Sequence, residues 1–301
     1  MKKEQFCVGP LSGHLWTPDE DAEAVILVVH GMTEHAGRYE GFARQLTARR
    51  IAVAAYDLRG HGANASPSGC AAMARGDWEA GIGDIDQALI MLRERFSRPV
   101  YLLGFSLGSF QVREYMEREN GNMDGVILIG TGTQPRWLLK LMQLIVKTQI
   151  KKAGFEQTTP LVRQLSFGVY NQKFKPNRTD SDWLCSDGTA LDGYLADPLC
   201  SRDIASGTFF ELLGSMERTG RTLKRSGLNS YMPVLLLGGE CDPVGNFGKG
   251  TKAVERLLRD GGYAVSARTY PKARHMLLCE ESGGQAAQAT EEIVRWIRAH
   301  I

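Results

Sequence analysis

Residues Gly104-Phe105-Ser106-Leu107-Gly108 follow an apolar run, Val100 to Leu103, and lead directly into a stretch with helical spacing. A chain that passes from a buried strand into a helix through so short a turn needs residues without a β-carbon on either side of the bend. A serine at the centre of such a GxSxG turn projects its hydroxyl at the edge of a sheet, the arrangement called a nucleophile elbow. Ser106 is therefore the candidate nucleophile. Three fixed positions in five recur by chance, so the partners must be sought elsewhere in the chain.

Upstream, Ala24-Val25-Ile26-Leu27-Val28-Val29 has the unbroken apolar character of a strand buried on both faces, and it runs into His30-Gly31-Met32-Thr33. A turn of this kind at a strand end supplies one backbone N–H to an oxyanion hole, and the residue after the serine supplies the other. Met32 and Leu107 are the expected donors. Their apolar side chains are no obstacle, because only the amides act. His30 and Gly31 belong to the same turn and are read as shaping its backbone.

Downstream, Pro233 to Gly239 is another buried-strand pattern, followed by Glu240-Cys241-Asp242-Pro243, then helical spacing from about Asn246 to Gly261, a strand near Ala264 to Tyr270, and Pro271-Lys272-Ala273-Arg274-His275. Asp242 is the chosen acid, with Glu240 as its rival. His275 is the chosen base. His14, His30, His35, His61 and His300 are the other histidines, and none of them stands in the loop directly after the last strand of the alternating pattern. The chain order Ser, Asp, His fits three groups projecting from the carboxyl ends of strands in one sheet.

The pattern across the chain alternates. Antiparallel strands near Phe6 to Val8 and Gly13 to Trp16 open it, followed by strand 25–29, helix 39–49, strand 51–56, helix 78–96, strand 100–103, helix 107–119 and strand 125–129. Such alternation implies an α/β fold whose central sheet is mainly parallel and flanked by helices. The rhythm stops after position 130 and resumes near 231. Residues 131–230 are expected to form a mostly helical cap inserted into a core of 1–130 and 231–301.

Within this cap, Trp137, Leu138, Leu141, Met142 and Ile145 fall on one helical face, Asn171 to Asp187 is polar and turn-rich, and Asp203 to Arg218 is again helix-like. From Lys140 to Arg178 there are eight basic residues against one acid, Glu156. Two readings fit. The stripe packs on the core while the lysines are solvated, or it gives the cap a surface for transient contact with lipid.

Length and composition agree with one large enzyme-sized domain. The chain has 301 residues, 43% of them hydrophobic and 23% charged, with a formal charge of +2, which gives no reason to expect nucleic acid as a partner. Gly9, Pro10 and Gly13 interrupt any apolar stretch behind Lys2 and Lys3, so a cytoplasmic protein without a signal peptide is expected. No run reaches membrane-spanning length. Cys7, Cys70, Cys185, Cys200, Cys241 and Cys279 contain no CxxC pair, so free thiols are expected rather than a zinc site or a disulfide framework. Gly248-Lys249-Gly250 lacks the upstream glycine and the hydroxyl residue of a phosphate loop, and Glu280-Glu281 lacks a second metal-spaced histidine. No metal or organic cofactor is implied.

With these residues in view, the chain resembles the monoacylglycerol lipase and lysophospholipase-like branch of the α/β-hydrolases, also described as serine-aminopeptidase-like. The resemblance rests on His30-Gly31-Met32-Thr33-Glu34-His35-Ala36-Gly37-Arg38-Tyr39, on Asp57-Leu58-Arg59-Gly60-His61-Gly62, on the Ser106 turn, and on Asp242 and His275 with their flanks. It implies the α/β-hydrolase fold, a cap over an acyl tunnel, and a polar cluster of Glu34 and Arg38 bracing the oxyanion turn. The stretches Asn171 to Thr179 and Asp197-Pro198-Leu199-Cys200 look like a bacterial subgroup. The turn continues Gly108-Ser109 where the lipases often carry a second glycine.

The expected chemistry is hydrolysis of a small-molecule acyl ester, such as a monoacylglycerol or a lysophospholipid, through an acyl-enzyme. His275, oriented by Asp242, takes the Ser106 proton during attack and later protonates the leaving alcohol. Two alternatives stand beside it. An aminopeptidase-type amide hydrolase would need an acidic anchor for a substrate ammonium, and the early cap is poor in acids; a binding protein without chemistry would ordinarily lack part of the triad.

Overall fold

The computed structural model describes residues 1–65, 71–118, 122–200, 203–221, 232–279 and 284–301. Cys70, Glu280 and Glu281, the expected helix end at 119 and the expected boundary at 230 and 231 lie outside them.

Among the described residues the strands are β1 (Lys2–Gln5), β2 (Gly13–Thr17), β3 (Ala24–Val29), β4 (Ile51–Tyr56), β5 (Val100–Phe105), β6 (Gly125–Ile129), β7 (Pro233–Gly239) and β8 (Ala264–Tyr270). They form one sheet in the order β1-β2-β4-β3-β5-β6-β7-β8. The β1–β2 and β2–β4 pairs are antiparallel and the rest are parallel. The helices are α1 (Glu40–Thr47), α2 (Asp77–Phe96), α3 (Leu107–Arg118), α4 (Arg136–Ala153), α5 (Pro160–Arg163), α6 (Gly188–Ala196), α7 (Ser206–Thr219), α8 (Lys249–Asp260) and α9 (Gln285–Arg298).

Continuous apolar strands give two cores, because successive side chains point to opposite faces. Val25, Leu27 and Val29 of β3 join one core with residues of α2, α3 and α8. Ala24, Ile26 and Val28 join the other with α1 and α9. The two edges are treated differently. β1 is exposed throughout and carries Lys2, Lys3 and Glu4, charges that discourage pairing with another chain, whereas β8 buries only Val265 and Tyr270 fully.

Several expected boundaries move, each for a local reason. The first strand is Lys2–Gln5 rather than Phe6 to Val8, because the Phe6 N–H bonds Gly13 and Val8 bridges Leu11 within the turn that reverses the chain. The helix expected from Asn246 begins at Lys249, since Asn246, Phe247 and Gly248 hold φ of 47°, 54° and 80°, outside the right-handed region. Helix α1 is shorter than 39–49, with a 3-10 turn at Ala36–Tyr39 before it. Helix α7 covers Ser206–Thr219 rather than starting at Asp203.

The largest departure is in α4. Leu139 and Val146 are buried, with Met142 and Ile150 packed beside them, whereas Trp137, Leu141 and Leu144 are 69%, 48% and 62% exposed. The apolar arc is wider than the surface that covers it. The expected face of Trp137, Leu138, Leu141, Met142 and Ile145 is thus divided, its Met142 side turned toward the core and its Trp137–Leu141 side toward solvent.

Candidate active site

Strand β5 runs directly into Ser106, which has φ of 50°. That conformation is unusual for a residue with a side chain and is held by its surroundings. The Ser106 N–H bonds Ile129 O at 3.0 Å, and the Ser106 carbonyl accepts from the Ser109 N–H at 2.9 Å and from its hydroxyl at 2.5 Å. Close approach fixes the glycines on both sides. A β-carbon at 104 would lie 2.7 Å from the Ser109 Cα, and one at 108 would lie 2.1 Å from the Val29 carbonyl oxygen.

The three residues chosen from the sequence meet at the carboxyl ends of the strands. His275 Nε2 is 2.8 Å from the Ser106 hydroxyl, and His275 Nδ1 is 3.0 Å from Asp242 Oδ1. Asp242 Oδ1 also accepts from the Val244 N–H at 2.8 Å, which fixes the carboxylate. Asp242 and His275 are buried, at 1% and 3% exposure, so the ion pair that forms on protonation of the imidazole is shielded from water. Glu240 is exposed. The imidazole lies between Phe105 and Trp183, with ring centroids 5.0 and 5.2 Å away.

Beside the serine, among the described residues, no turn or cap hydrogen bond uses the Met32 or Leu107 N–H. The Leu107 amide opens α3, where unsatisfied N–H groups and the helix dipole favour negative charge. The loop bearing Met32 is braced from beneath. Glu34 Oε1 accepts from the Gly31 N–H at 2.6 Å and the Tyr39 hydroxyl at 2.9 Å, and its other oxygen meets Arg38 Nε at 3.3 Å. Burial opposes the Arg38 charge, yet Glu34 carries its pKa above the ordinary value. Burial and Glu34 together push Tyr39 well up.

His30 braces the same loop as a neutral ring. Its Nδ1 bonds Gly31 O at 2.7 Å and its Nε2 accepts from the Leu58 N–H at 2.9 Å, while burial lowers its pKa. His61, also buried, is lowered to about 4 by burial and by the neighbouring His30. Asp57 accepts from the Ala36 and Ala63 N–H groups at 2.8 and 2.7 Å, so the Asp57–Gly62 turn supports the loop from the next strand.

Two spaces converge on Ser106. A cleft of about 440 Å³ holds Ser106, His275, Met32, Thr33 and Glu34 and reaches Arg163, Asp180 and Asp203. An apolar cavity of about 190 Å³ shares Met32 and Ser106 with it and runs between Leu138, Met142, Phe209, Leu213 and Met216 of α4 and α7. The serine stands where a wider vestibule that reaches charged side chains meets an apolar tunnel.

Some contributors carried no readable sign. Trp183 lies in the polar stretch 171–187, where nothing in the local pattern marks it as packing on His275. Tyr194 of α6, whose hydroxyl is 2.8 Å from that of Thr33, is equally silent. Tyr39 and Asp57, by contrast, stand within the motifs at 30–39 and 57–62.

The family model described as Hydrolase_4, serine aminopeptidase, S33, matches residues 20–282. A human monoglyceride lipase is 27% identical over 275 residues, covering 88% of this chain and 83% of the relative. A monoacylglycerol lipase of Mycolicibacterium smegmatis is 24% identical, covering 95% and 92%. A thermostable carboxyl esterase from Bacillus coagulans, solved with glycerol, superposes with a TM-score of 0.86 at 22% identity and covers 99% of this chain and 98% of its own.

Proposed function

The chain belongs to the serine aminopeptidase S33 family, in its monoacylglycerol lipase-like branch of the α/β-hydrolases, and is a carboxylic ester hydrolase acting on acylglycerols; we propose that Ser106, His275 and Asp242 carry its chemistry. The single supporting observation is the chain of contacts from hydroxyl to imidazole to carboxylate at 2.8 and 3.0 Å. The hydrogen bond to Asp242 keeps the His275 proton on Nδ1, so Nε2 is free to accept the Ser106 proton as oxygen attacks the ester carbonyl. Negative charge on the tetrahedral oxygen is met by the Met32 and Leu107 N–H groups. The imidazolium then gives its proton to the leaving alcohol, and water cleaves the acyl-serine by the same steps.

Residues 131–230 act in this reading as a lid over the site. The tunnel between α4 and α7 takes the acyl chain, and the vestibule takes the alcohol. Acyl selection follows from tunnel length, so a panel of glyceryl, lysophospholipid and p-nitrophenyl esters of graded chain length tests the reading. A maximum at medium or long chains with glyceryl esters is the expected result; a flat preference for acetyl esters defeats the tunnel assignment.

The lid also offers a surface for lipid. Trp137, Leu141 and Leu144 form an exposed apolar row at helical spacing on α4, next to Lys140 and Lys147. Sedimentation with anionic and neutral vesicles should show stronger binding to the anionic ones, reduced in the Trp137→Ser/Leu141→Ser variant. Equal binding to both vesicle types contradicts it. Among the described residues no helix is long and apolar enough to cross a membrane.

A further inference from the structure

We propose that His35, Asp197 and Cys200 form a binding site for a thiolate-seeking divalent transition metal, with zinc as the best match, at the seam between the end of α6 and the oxyanion loop. Their candidate donor atoms all lie within 4.8 Å of one another. Tetrahedral zinc, with bonds of about 2.0–2.3 Å to nitrogen, oxygen and sulfur, needs donors roughly 3.3–3.7 Å apart, a spacing of the same order as the one these atoms hold.

The turn that follows α6 prepares two of these ligands. The Cys200 N–H bonds Asp197 O at 3.0 Å, which brings the two side chains together three residues apart. The Leu199 N–H holds Asp197 Oδ1 at 2.9 Å, leaving Oδ2 to face His35 Nε2 at 2.9 Å. An outer hydrogen bond that aims a carboxylate oxygen is a regular feature of metal sites. His35 comes from the opposite side, two residues beyond Thr33.

Donor chemistry selects the ion. One sulfur, one imidazole nitrogen and one carboxylate oxygen suit zinc and cobalt, and disfavour magnesium and calcium, which take oxygen. Cys200 is buried at 3% exposure and Arg38 Nη1 stands 3.9 Å from its sulfur. Burial pushes the thiol up to about 12, with Arg38 working against that rise. Metal binding replaces the S–H bond with a metal–sulfur bond and releases the proton to solvent, without change of oxidation state. Aspartate and thiolate then neutralise the divalent charge, and Arg38 remains paired with Glu34 while donating to the thiolate.

The sequence hid this arrangement because its ligands share no short-range spacing. Only the docking of the α6 end onto the loop after β3 assembles them. An occupied site would fasten these two segments together, which is the basis of a stability readout independent of turnover.

The test uses the full chain, reduced with a phosphine and titrated with Co²⁺ under ultraviolet and visible absorption, then back-titrated with Zn²⁺. Wild type should take up one equivalent with a thiolate-to-cobalt charge-transfer band, lose that band to Zn²⁺, and melt at a higher temperature with Zn²⁺ bound. Cys200→Ser should lose the band and bind Zn²⁺ at least about 10–100-fold more weakly. Asp197→Ala should weaken Zn²⁺ similarly but keep a band at higher Co²⁺, which serves if the serine variant does not fold. Cys279→Ser, whose thiol touches the same guanidinium, should match wild type. No charge-transfer band in wild type, or one that survives Cys200→Ser, overturns the proposal. Neither result bears on ester hydrolysis.

Discussion

Gly108 and Val29 press backbone against backbone: a β-carbon on Gly108 would fall 2.1 Å from the Val29 carbonyl oxygen. Strand β3, which leads into the Met32 loop, and helix α3, which begins just after Ser106, therefore approach as closely as two main chains allow. Gly108→Ala must separate them. We expect a destabilisation of about 1–3 kcal/mol from overpacking and a fall in kcat larger than the change in KM, read from thermal melts and steady-state kinetics. Unchanged kcat would show that the spacing of β3 and α3 does not set the oxyanion geometry.

Asp242→Asn removes the acceptor that keeps the His275 proton on Nδ1. Turnover should fall by roughly 10⁴-fold, as expected when the imidazole adopts the wrong tautomer, with the circular dichroism spectrum retained. Glu240→Gln, at an exposed position, should stay near wild type. Reversal of these two outcomes would move the acid to Glu240.

Glu34 gathers the Gly31 N–H, the Tyr39 hydroxyl and Arg38 beneath the Met32 loop. Glu34→Ala strands the buried Gly31 N–H, and a displaced loop costs up to the value of one oxyanion donor, about 10²–10³ in kcat. The loss should appear in kcat for short and long esters alike, since the acyl tunnel is untouched. A defect confined to KM for long esters would assign Glu34 to substrate binding instead.

Leu213 lines the apolar tunnel between α4 and α7. Leu213→Trp should obstruct it, lowering kcat/KM for a twelve-carbon ester by about 10-fold or more while leaving the acetyl ester within about 2-fold. One lost methylene contact is worth about 1–3 kcal/mol in such a pocket, so several should give a clear crossover. Parallel loss for both esters would place the acyl chain in the vestibule.

His30 and His61 are buried as neutral rings, His61 with its pKa lowered to about 4 from an ordinary 6.5. The unfolded chain binds more protons than the folded one between those values, so stability rises with pH there. The contribution is fully present above pH 6.5 and is lost as pH falls toward 4; for His61 it is on the order of 3 kcal/mol. Melting temperature should drop from pH 7.5 to 4.5, and His61→Gln should show a shallower drop. An equally steep decline in that variant would assign the acid lability to other groups.

The core of this fold is readable because its signals are local. An apolar run such as Val25 to Val29 has to be covered on both faces, and a glycine-flanked serine after Val100 to Leu103 has to turn sharply. The positions of Asp242 and His275 follow from counting strands. What is not readable depends on how distant surfaces meet. The division of α4 into a packed side at Leu139 and Val146 and an exposed side at Trp137, Leu141 and Leu144 reflects the width of α7 and its neighbours, which periodicity does not report. Trp183 reaches His275 through an irregular segment with no period at all. The late start of α8 has a backbone cause, the left-handed conformations at Asn246 and Phe247, in a sequence whose apolar spacing alone favours helix.

The most direct measurement is a rapid acid quench during turnover of a p-nitrophenyl ester, followed by peptide mapping for the acyl group. A single acyl adduct is expected on the peptide that contains Ser106, absent from Ser106→Ala, which is inactive. An adduct on another residue, or a Ser106→Ala variant that hydrolyses the ester at the wild-type rate, would contradict it.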